Sequence, residues 1–295
     1  MHIFRDDRAL PAALRGAALA LGNFDGVHRG HAALLDKARS LSATVGLLTF
    51  SPHPRLVTQP GLPPFLLTSS DAKMAILERL GVDFCVELPF TPALAATAAE
   101  DFVADILAAR LGARRLVFGH DFRFGQKRKG DVDLLRRLEA RHGFTAHPVA
   151  PVTDEGGRLY SSSLIRECLR AGDVDGAARA LGRAWSLPVP AFALTAHDDG
   201  GATILFRLDN HVRPAAGAYA VRVGENRAEA ILRVSDGDDL GRLHVRDGKA
   251  VRGNPVTLEF VAFLGKDADF ARDSIRDSVR VPAQAGYGQA HFAQA

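Results

Sequence analysis

Apolar runs of strand length alternate with helical patterns over the first half of the chain. Strands are predicted at residues 17–21, 45–50, 82–88, 115–118 and 144–149. Helices are predicted at residues 32–38, 71–80, 97–112, 131–142 and 161–170. The spacing of Thr97 and Glu100 predicts a capping box at the start of the third helix. The alternation is typical of a parallel sheet whose two faces are both covered by helices, as in Rossmann-like α/β domains.

The pattern changes after Trp185. Gly, Asp and Asn turns separate short predicted strands at 191–195, 203–208, 219–223, 230–234, 243–246 and 256–263. Such spacing favours a small antiparallel β-barrel. An amphipathic C-terminal helix is predicted over 267–279. The whole pattern therefore predicts an α/β protein with domains at 1–185 and 186–295.

Composition narrows the class of protein. The chain has 295 residues, of which 47% are hydrophobic and 24% charged, as in ordinary globular proteins. Its formal net charge of +3 is too small to indicate a nucleic-acid partner. Cys85 and Cys168 fit neither a zinc site nor a disulfide framework. Because no membrane-length apolar run or signal peptide is found, we expect a cytoplasmic protein without a membrane partner, and the sequence leaves its oligomeric state open.

The segment Gly-Asn-Phe-Asp-Gly-Val-His-Arg-Gly-His joins the first predicted strand to the first predicted helix. Gly22, Gly26 and Gly30 allow close backbone approach to a phosphate and φ values closed to other residues. His28 and His31 lie near the start of the helix, where free N–H groups favour anions. A His-x-Gly-His match alone is more often a solvated, capped turn. Its place between a strand and a helix favours a triphosphate site.

Two further loops follow predicted strands. In the first, Pro52 and Pro54 stiffen the chain around His53 and hold Phe50, although the histidine could be incidental. In the second, at 119–130, aromatic side chains could flank a flat ring and basic side chains could reach phosphates. A solvated basic loop is the alternative for its lysines and arginine. The glycines at both ends indicate a loop that closes over substrate.

Serines at 161–163 open the last helix of the first half. Their hydroxyls and the free N–H groups at the helix start would bind anions, and Arg166 lies one turn further on. An ordinary serine N-cap explains one of these serines but leaves the arginine unexplained.

With these four segments the chain resembles the bacterial bifunctional riboflavin kinase/FMN adenylyltransferase family, also called FAD synthetase. The resemblance covers residues from about 15 to 185. Four segments in the family's order carry it: its His-x-Gly-His form at 22–31, Phe-x-Pro-His-Pro at 50–54, Gly-x-Asp-Phe-Arg-Phe-Gly at 119–125, and Ser-Ser-Thr-x-Ile-Arg at 161–166, with Ser163 in place of threonine.

The resemblance implies that the phosphate of FMN attacks the α-phosphate of Mg-ATP, giving FAD and pyrophosphate. The implied catalytic residues are His28 and His31 at the α-phosphate, and Ser162 and Arg166 at the leaving phosphates. The implied nucleotide-binding residues are Gly22, Phe24, Gly30, Ser161 and Ser163. The implied flavin-binding residues are His53, Pro54, Asp121 and Phe124. Mg²⁺ enters with ATP and no protein metal ligand is assigned, although Asp121 could alternatively support the ion through water.

The second half departs from the family's riboflavin kinase domain. Where the family has a threonine that holds Mg-ATP, this chain has Leu208, which offers no oxygen to a hard cation. Where it has a glutamate base, this chain has Arg242, which cannot accept a proton. We therefore predict that kinase activity is lost. The alternatives are a fully bifunctional enzyme using Asp209 and Asn210, a nucleotidyltransferase with another phosphate nucleophile, and a flavin-binding or regulatory protein without activity.

Overall fold

The chain folds into two compact units. A computed structural model describes residues 1–5, 8–198, 200–235, 240–246 and 255–266. The first unit comprises Met1–Pro63 and Ser70–Ser161, and the second comprises Pro64–Ser69 and Ser162–Ala295 as far as these are described. A short internal segment of the first half therefore belongs to the second unit. The functional domains at 1–185 and 186–295 stay a prediction.

The first unit is built on a parallel sheet of six strands. Their bounds are β1 His2–Phe4, β2 Ala18–Leu21, β3 Val45–Ser51, β4 Phe84–Pro89, β5 Arg115–Gly119 and β6 Thr145–Val149. The strand order is β1-β4-β3-β2-β5-β6, and every neighbouring pair is parallel. The predicted parallel sheet is confirmed. Only β1 had no counterpart among the predicted strands, because its three residues form no apolar run.

The helices of the first unit are α1 Arg29–Leu41, α2 Pro54–Thr58, α3 Ser70–Arg79, α4 Pro92–Ala96, α5 Ala99–Asp101 and α6 Val132–His142, with short 3₁₀ turns at Ala12–Leu14 and Gln126–Arg128. The helix α5 continues as a π-helix over Phe102–Arg110, where Leu111 N–H donates to the carbonyl five residues earlier. The capping box predicted at Thr97 is wrong. Thr97 is instead the C-cap of α4, its hydroxyl donates to the Ala93 carbonyl of that helix, and the next helix begins at Ala99.

Apolar side chains of the strands alternate between two cores, one on each face of this sheet. Leu19 and Leu21 pack in a cluster that includes leucines of α6 and of the π-helix. Ala18 and Ala20 point the other way, into a cluster with residues of α1 and α3. Since successive strand residues face opposite sides, two cores require helices on both faces, as predicted.

The second unit is built on an antiparallel sheet of seven strands that curls into a half-barrel. Two helices, α7 Ser162–Ala171 and α8 Val174–Leu181, precede this sheet in the chain. The strands are β7 Ser186–Val189, β8 Ala191–Ala196, β9 Ala202–Arg207, β10 Gly217–Val223, β11 Ala228–Val234, β12 Leu240–Val245 and β13 Val256–Gly265, in the order β7-β13-β10-β11-β12-β9-β8. The helix predicted at 267–279 lies outside the described residues. Across the described ranges, no helix is long and apolar enough to span a bilayer.

Candidate functional site

The loop between β2 and α1 is buried and strained. Phe24 and Val27 have φ values of 51° and 44°, in the left-handed region that bulky and β-branched residues rarely adopt. Gly26 has a φ of 85°, where glycine is favoured, as predicted, whereas the same prediction for Gly22 and Gly30 is wrong because neither has a positive φ. Residues 24–28 are all buried, although loops are usually exposed. Such a loop persists only when its surroundings hold it, and backbone strain of this kind clusters at ligand sites.

The two histidines cap the start of α1 reciprocally. His28 Nδ1 accepts the His31 N–H at 3.3 Å, and His31 Nδ1 accepts the His28 N–H at 3.2 Å. Their rings stack with centroids 3.7 Å apart, and the Phe24 ring stacks on His31 at 4.6 Å. Because both Nδ1 atoms accept, each neutral ring carries its proton on Nε2. The arrangement thus sets Nε2–H donors at a helix N-terminus, where an anion is already favoured.

Gly22 of this loop and Gly30 of α1 leave room for the aromatic rings packed beside them. A Cβ on Gly30 would lie 3.0 Å from the His28 ring and 3.1 Å from the Tyr160 carbonyl oxygen. A Cβ on Gly22 would lie 3.1 Å from the Phe24 ring. Sequence reasoning assigned these glycines to the approach of a phosphate. The structure adds that they make room for the stacked rings.

Buried polar side chains of the first unit gather at the same edge of the sheet. Within the described residues they are Asp25, His28, Thr49, Lys73 and Glu87. Sequence reasoning identified His28 but missed Thr49, Lys73 and Glu87. A signal was present, because Thr49 and Glu87 interrupt otherwise apolar strands near their carboxyl ends.

Two predicted flavin-binding residues form the start of α2. His53 is its N-cap, and its Nδ1 accepts the Arg55 N–H at 3.2 Å. Pro54 is the first residue of the helix, where its fixed φ is favourable and its missing N–H costs nothing. Both are half-buried, on the loop that follows β3.

The other two predicted flavin-binding residues lie in the loop after β5 and differ in exposure. Asp121 is exposed, whereas Phe124 is buried in the core, with ring centroids 5.8 Å from Phe102 and 5.5 Å from Phe122. Phe124 also exchanges two backbone hydrogen bonds with Gly130, which closes the loop on itself. Phe124 is therefore positioned to shape the loop from within.

The predicted serine–arginine group lies where the chain passes from the first unit to the second. Ser161 is the last residue of the first unit, and Ser162, Ser163 and Arg166 lie in α7 of the second. Arg166 is buried, its Nε–H donates to the Phe65 carbonyl at 2.7 Å, and its guanidinium lies 5.2 Å from the centre of the Phe65 ring. The structure thus shows Arg166 holding the 64–69 segment, and its role at phosphates stays a prediction.

Further bonds fix the 64–69 segment within the second unit. The N–H groups of Phe65 and Leu66 both donate to the Asn210 carbonyl at 2.9 Å. Trp185 Nε1–H donates to the Leu67 carbonyl at 2.9 Å. Backbone hydrogen bonds to Asn210 and side-chain hydrogen bonds from Arg166 and Trp185 therefore hold the 64–69 segment in the second unit.

Residues of the region predicted to have lost kinase activity are buried or hydrogen-bonded within the second unit. The Leu208 side chain is buried. Arg242 donates to the Ser235 hydroxyl at 3.3 Å. The Thr203 hydroxyl lies 3.0 Å from His197 Nε2 and 2.9 Å from His244 Nδ1. Across the described part of the chain, no group of three His, Cys, Asp or Glu side chains could hold a metal ion.

A parallel sheet with a buried glycine-rich loop and a stacked histidine pair at its carboxyl edge is an arrangement suited to binding the phosphates of a nucleotide. Comparison with known proteins identifies the family. A sequence model described as FAD synthetase matches residues 10–163, more than half of the chain. This chain belongs to the FAD synthetase family.

Two curated relatives illustrate the family. The chain is 34% identical over 221 residues to the bifunctional riboflavin kinase/FMN adenylyltransferase of Escherichia coli strain K12, covering 72% of this chain and 69% of the relative. It is also 34% identical over 242 residues to the FAD synthetase of Listeria monocytogenes, covering 79% of this chain and 93% of the relative. A crystal structure of a macrolide-efflux protein from Streptococcus pneumoniae has a TM-score of 0.76 at 24% identity, covering 94% of this chain and 96% of that one. At that identity the likeness concerns the fold alone.

Proposed function

We propose that this protein is an FMN adenylyltransferase, which forms FAD and pyrophosphate from FMN and Mg-ATP. The reciprocal histidine cap at the start of α1 carries the proposal, because it fixes two ring donors at a helix N-terminus. A phosphate oxygen of FMN attacks the α-phosphorus of ATP. The bond from that phosphorus to the oxygen bridging to the β-phosphate breaks, and pyrophosphate leaves with the electron pair.

His28 and His31 stabilise negative charge on the α-phosphate through their Nε2–H groups. No proton transfer is needed to activate the nucleophile, since the FMN phosphate is already ionised at neutral pH. Donors that are fixed in advance need no rearrangement as charge develops, which makes them effective in the transition state. The stacking on Phe24 and the two Nδ1 bonds provide that fixation.

The remaining nucleotide residues are proposed to shape and hold the substrate. Gly22 and Gly30 let the loop pack around its rings, as the positions of their absent Cβ atoms show. The serines at 161–163 provide hydroxyls at the beginning of α7, which suits the β- and γ-phosphates. Arg166 is proposed to bind the same phosphates, with its guanidinium oriented by the bond to Phe65.

The flavin is proposed to lie near His53, Pro54 and Asp121, on the loops that follow β3 and β5. Phe124 would support this surface from the core rather than cover the ring. Mg²⁺ would enter as part of the substrate, bound to the ATP phosphates, where it would offset their negative charge.

We further propose that the second unit no longer phosphorylates riboflavin. Leu208 is an apolar, buried side chain where the family resemblance expects a threonine for Mg-ATP. Arg242 occupies the position expected for the glutamate base, and it donates to Ser235. The relatives do not decide this point, because a bifunctional enzyme and one named only FAD synthetase are both 34% identical to this chain.

A product assay with separate substrates tests both proposals. The purified full chain is incubated with ATP and Mg²⁺ plus FMN, riboflavin, pantetheine phosphate or nicotinamide mononucleotide. We expect FAD and stoichiometric pyrophosphate with FMN, and no product with the other three.

The other outcomes identify the alternatives. FMN accumulating from riboflavin would show a bifunctional enzyme. Turnover of another phosphate nucleophile in preference to FMN would show a different nucleotidyltransferase. FMN binding without turnover would show a flavin-binding protein that lacks the activity.

A further inference from the structure

A hydrogen-bonded chain of buried side chains ends on the strained loop. Lys73 Nζ donates to Thr49 Oγ1 at 3.2 Å, and the Thr49 hydroxyl donates to the Asn23 carbonyl at 2.9 Å. Thr49 is 0% exposed and Lys73 is 7% exposed. A lysine can only donate, so the threonine oxygen accepts from it and its own proton is directed at Asn23. The direction of the whole chain of bonds is therefore fixed.

Glu87 anchors the lysine end of this chain. Its side chain is 3% exposed, and one carboxylate oxygen lies 4.0 Å from Lys73 Nζ. The same carboxylate accepts from the Ser70 hydroxyl and, at 3.1 Å, from Arg5 Nε. Burial lowers the pKa of Lys73, while Glu87 and Asp25 of the strained loop act in the opposite direction. The lysine thus lies between a strand carboxylate and the loop.

Thr49, Lys73 and Glu87 occupy positions whose neighbours are apolar core residues. Thr49 shares a face of β3 with Leu47, and Glu87 shares a face of β4 with Cys85, both members of the core beneath α1 and α3. Lys73 lies among the buried residues of α3. Replacing a buried ion pair by packed apolar residues is often neutral or stabilising. Stability alone therefore does not account for this set, and its end on the loop indicates a role there.

We propose that Lys73 and Thr49 are positioning residues of the adenylyl-transfer site. They hold the Asn23 carbonyl and thereby the turn with positive φ at Phe24 and Val27, which leads into His28. Neither side chain contacts substrate in this account. The inference rests on the proposed function for its catalytic consequence, but the restraint on the loop is independent of any activity.

Thr49→Val and Thr49→Ser form the decisive pair. Valine keeps the shape of threonine but loses both hydrogen bonds, whereas serine keeps the hydroxyl. We expect Thr49→Val to lower kcat for FAD formation by about tenfold or more with KM for FMN and ATP within about twofold, since small misplacements of catalytic groups are costly. Amide hydrogen exchange across 22–31 should accelerate in this variant. Thr49→Ser should restore both kcat and exchange towards wild type.

Thr145→Val is the matched control, because Thr145 is an exposed threonine at the amino end of β6 with a bonded hydroxyl. It should leave kcat and exchange at 22–31 unchanged. Lys73→Met alone would remove a positive charge beside the buried Glu87 carboxylate, so Lys73→Met is combined with Glu87→Gln. The double variant should fold and reproduce the Thr49→Val phenotype.

Equal kcat and equal exchange in the valine and serine variants would overturn the proposal. A fall in kcat without faster exchange at 22–31 would do so as well. If the wild-type protein forms no FAD, the proposed function fails, yet the exchange measurement still decides whether Lys73 and Thr49 restrain the loop.

Discussion

The two units differ in where they bury polar groups. In the described part of the first unit, five charged or polar side chains are buried, and all lie at or near the carboxyl edge of the parallel sheet. In the described part of the second unit, the buried ones are Thr68 and Arg166, and neither belongs to the antiparallel sheet. In the second unit, the buried rings of Tyr219 and Trp185 each donate one hydrogen bond to a backbone carbonyl.

The difference in buried polar side chains indicates that the two units are under different constraints. Burying a polar group is costly unless it is fully bonded, so a cluster of such groups marks a place where the fold accepts a cost for another purpose. The sheet of the second unit buries its faces with apolar residues, as stability alone would favour. The comparison therefore supports the proposed role of the first unit in holding the α-phosphate, which stays a prediction.

The largest effect is expected at the histidine pair. His31→Ala should lower kcat for FAD formation by about 10²–10³, the usual result of losing one fixed donor. FMN binding should persist, because the histidines are proposed to act at the α-phosphate. Pyrophosphate release and FMN fluorescence quenching measure the two properties.

Two variants accompany His31→Ala. His28→Asn retains a good N-cap but removes the ring donor, so it should fold normally and still lose turnover. His197→Ala, on the exposed part of the second unit, should leave turnover unchanged. An equal loss of FMN binding in His31→Ala would contradict the assigned role.

Effects of intermediate size are expected when a glycine of each unit is replaced by alanine. Gly30→Ala places a Cβ 3.0 Å from the His28 ring, and should lower kcat by about tenfold with little change in unfolding free energy. Gly241→Ala places a Cβ 2.2 Å from the Phe206 ring, and should lower unfolding free energy by about 1–3 kcal/mol through overpacking. Turnover per folded molecule should survive in the second variant. Similar effects of the two variants, in calorimetry and in kcat, would break the comparison.

The smallest effect is a pH dependence in the second unit. Burial, and then Arg233, His197 and Arg242, lower the pKa of His244 below its ordinary 6.5. The unfolded chain therefore binds a proton at this position before the folded chain does. The resulting loss of stability develops as pH falls through 6.5 towards the folded pKa. His244→Gln should reduce the fall in Tm between pH 7.5 and 5.5, and an unchanged fall would contradict the assignment.

Local features of the fold were accessible from the sequence. Asp131 caps α6 by accepting the Leu134 N–H at 2.9 Å, and Gly143 ends the helix with a φ of 68°, both at the predicted boundaries. The loop of His28 and His31 was found in the same way. Caps, turns and apolar periodicity depend on residues within a few positions of one another, so a single segment contains the whole signal.

Longer-range features were not accessible. The 64–69 segment belongs to the second unit because Arg166 and Trp185, about a hundred residues later, bind its carbonyls. Phe124 is buried beside Phe102, which no local pattern predicted, and its place at the flavin stays a prediction. In each case the partner is distant in sequence, and no local pattern specifies it.

Patterns within single segments were enough to predict the alternation of strands and helices, the glycine-rich loop and the histidine pair. Tertiary structure alone decided that Lys73 reaches Thr49 and that Thr49 holds Asn23. The physical reason is strand order. Because β3 lies between β2 and β4, Thr49 adjoins both the loop that follows β2 and Glu87. Hydrophobic periodicity predicts which residues face a core, but it does not predict which strands become neighbours.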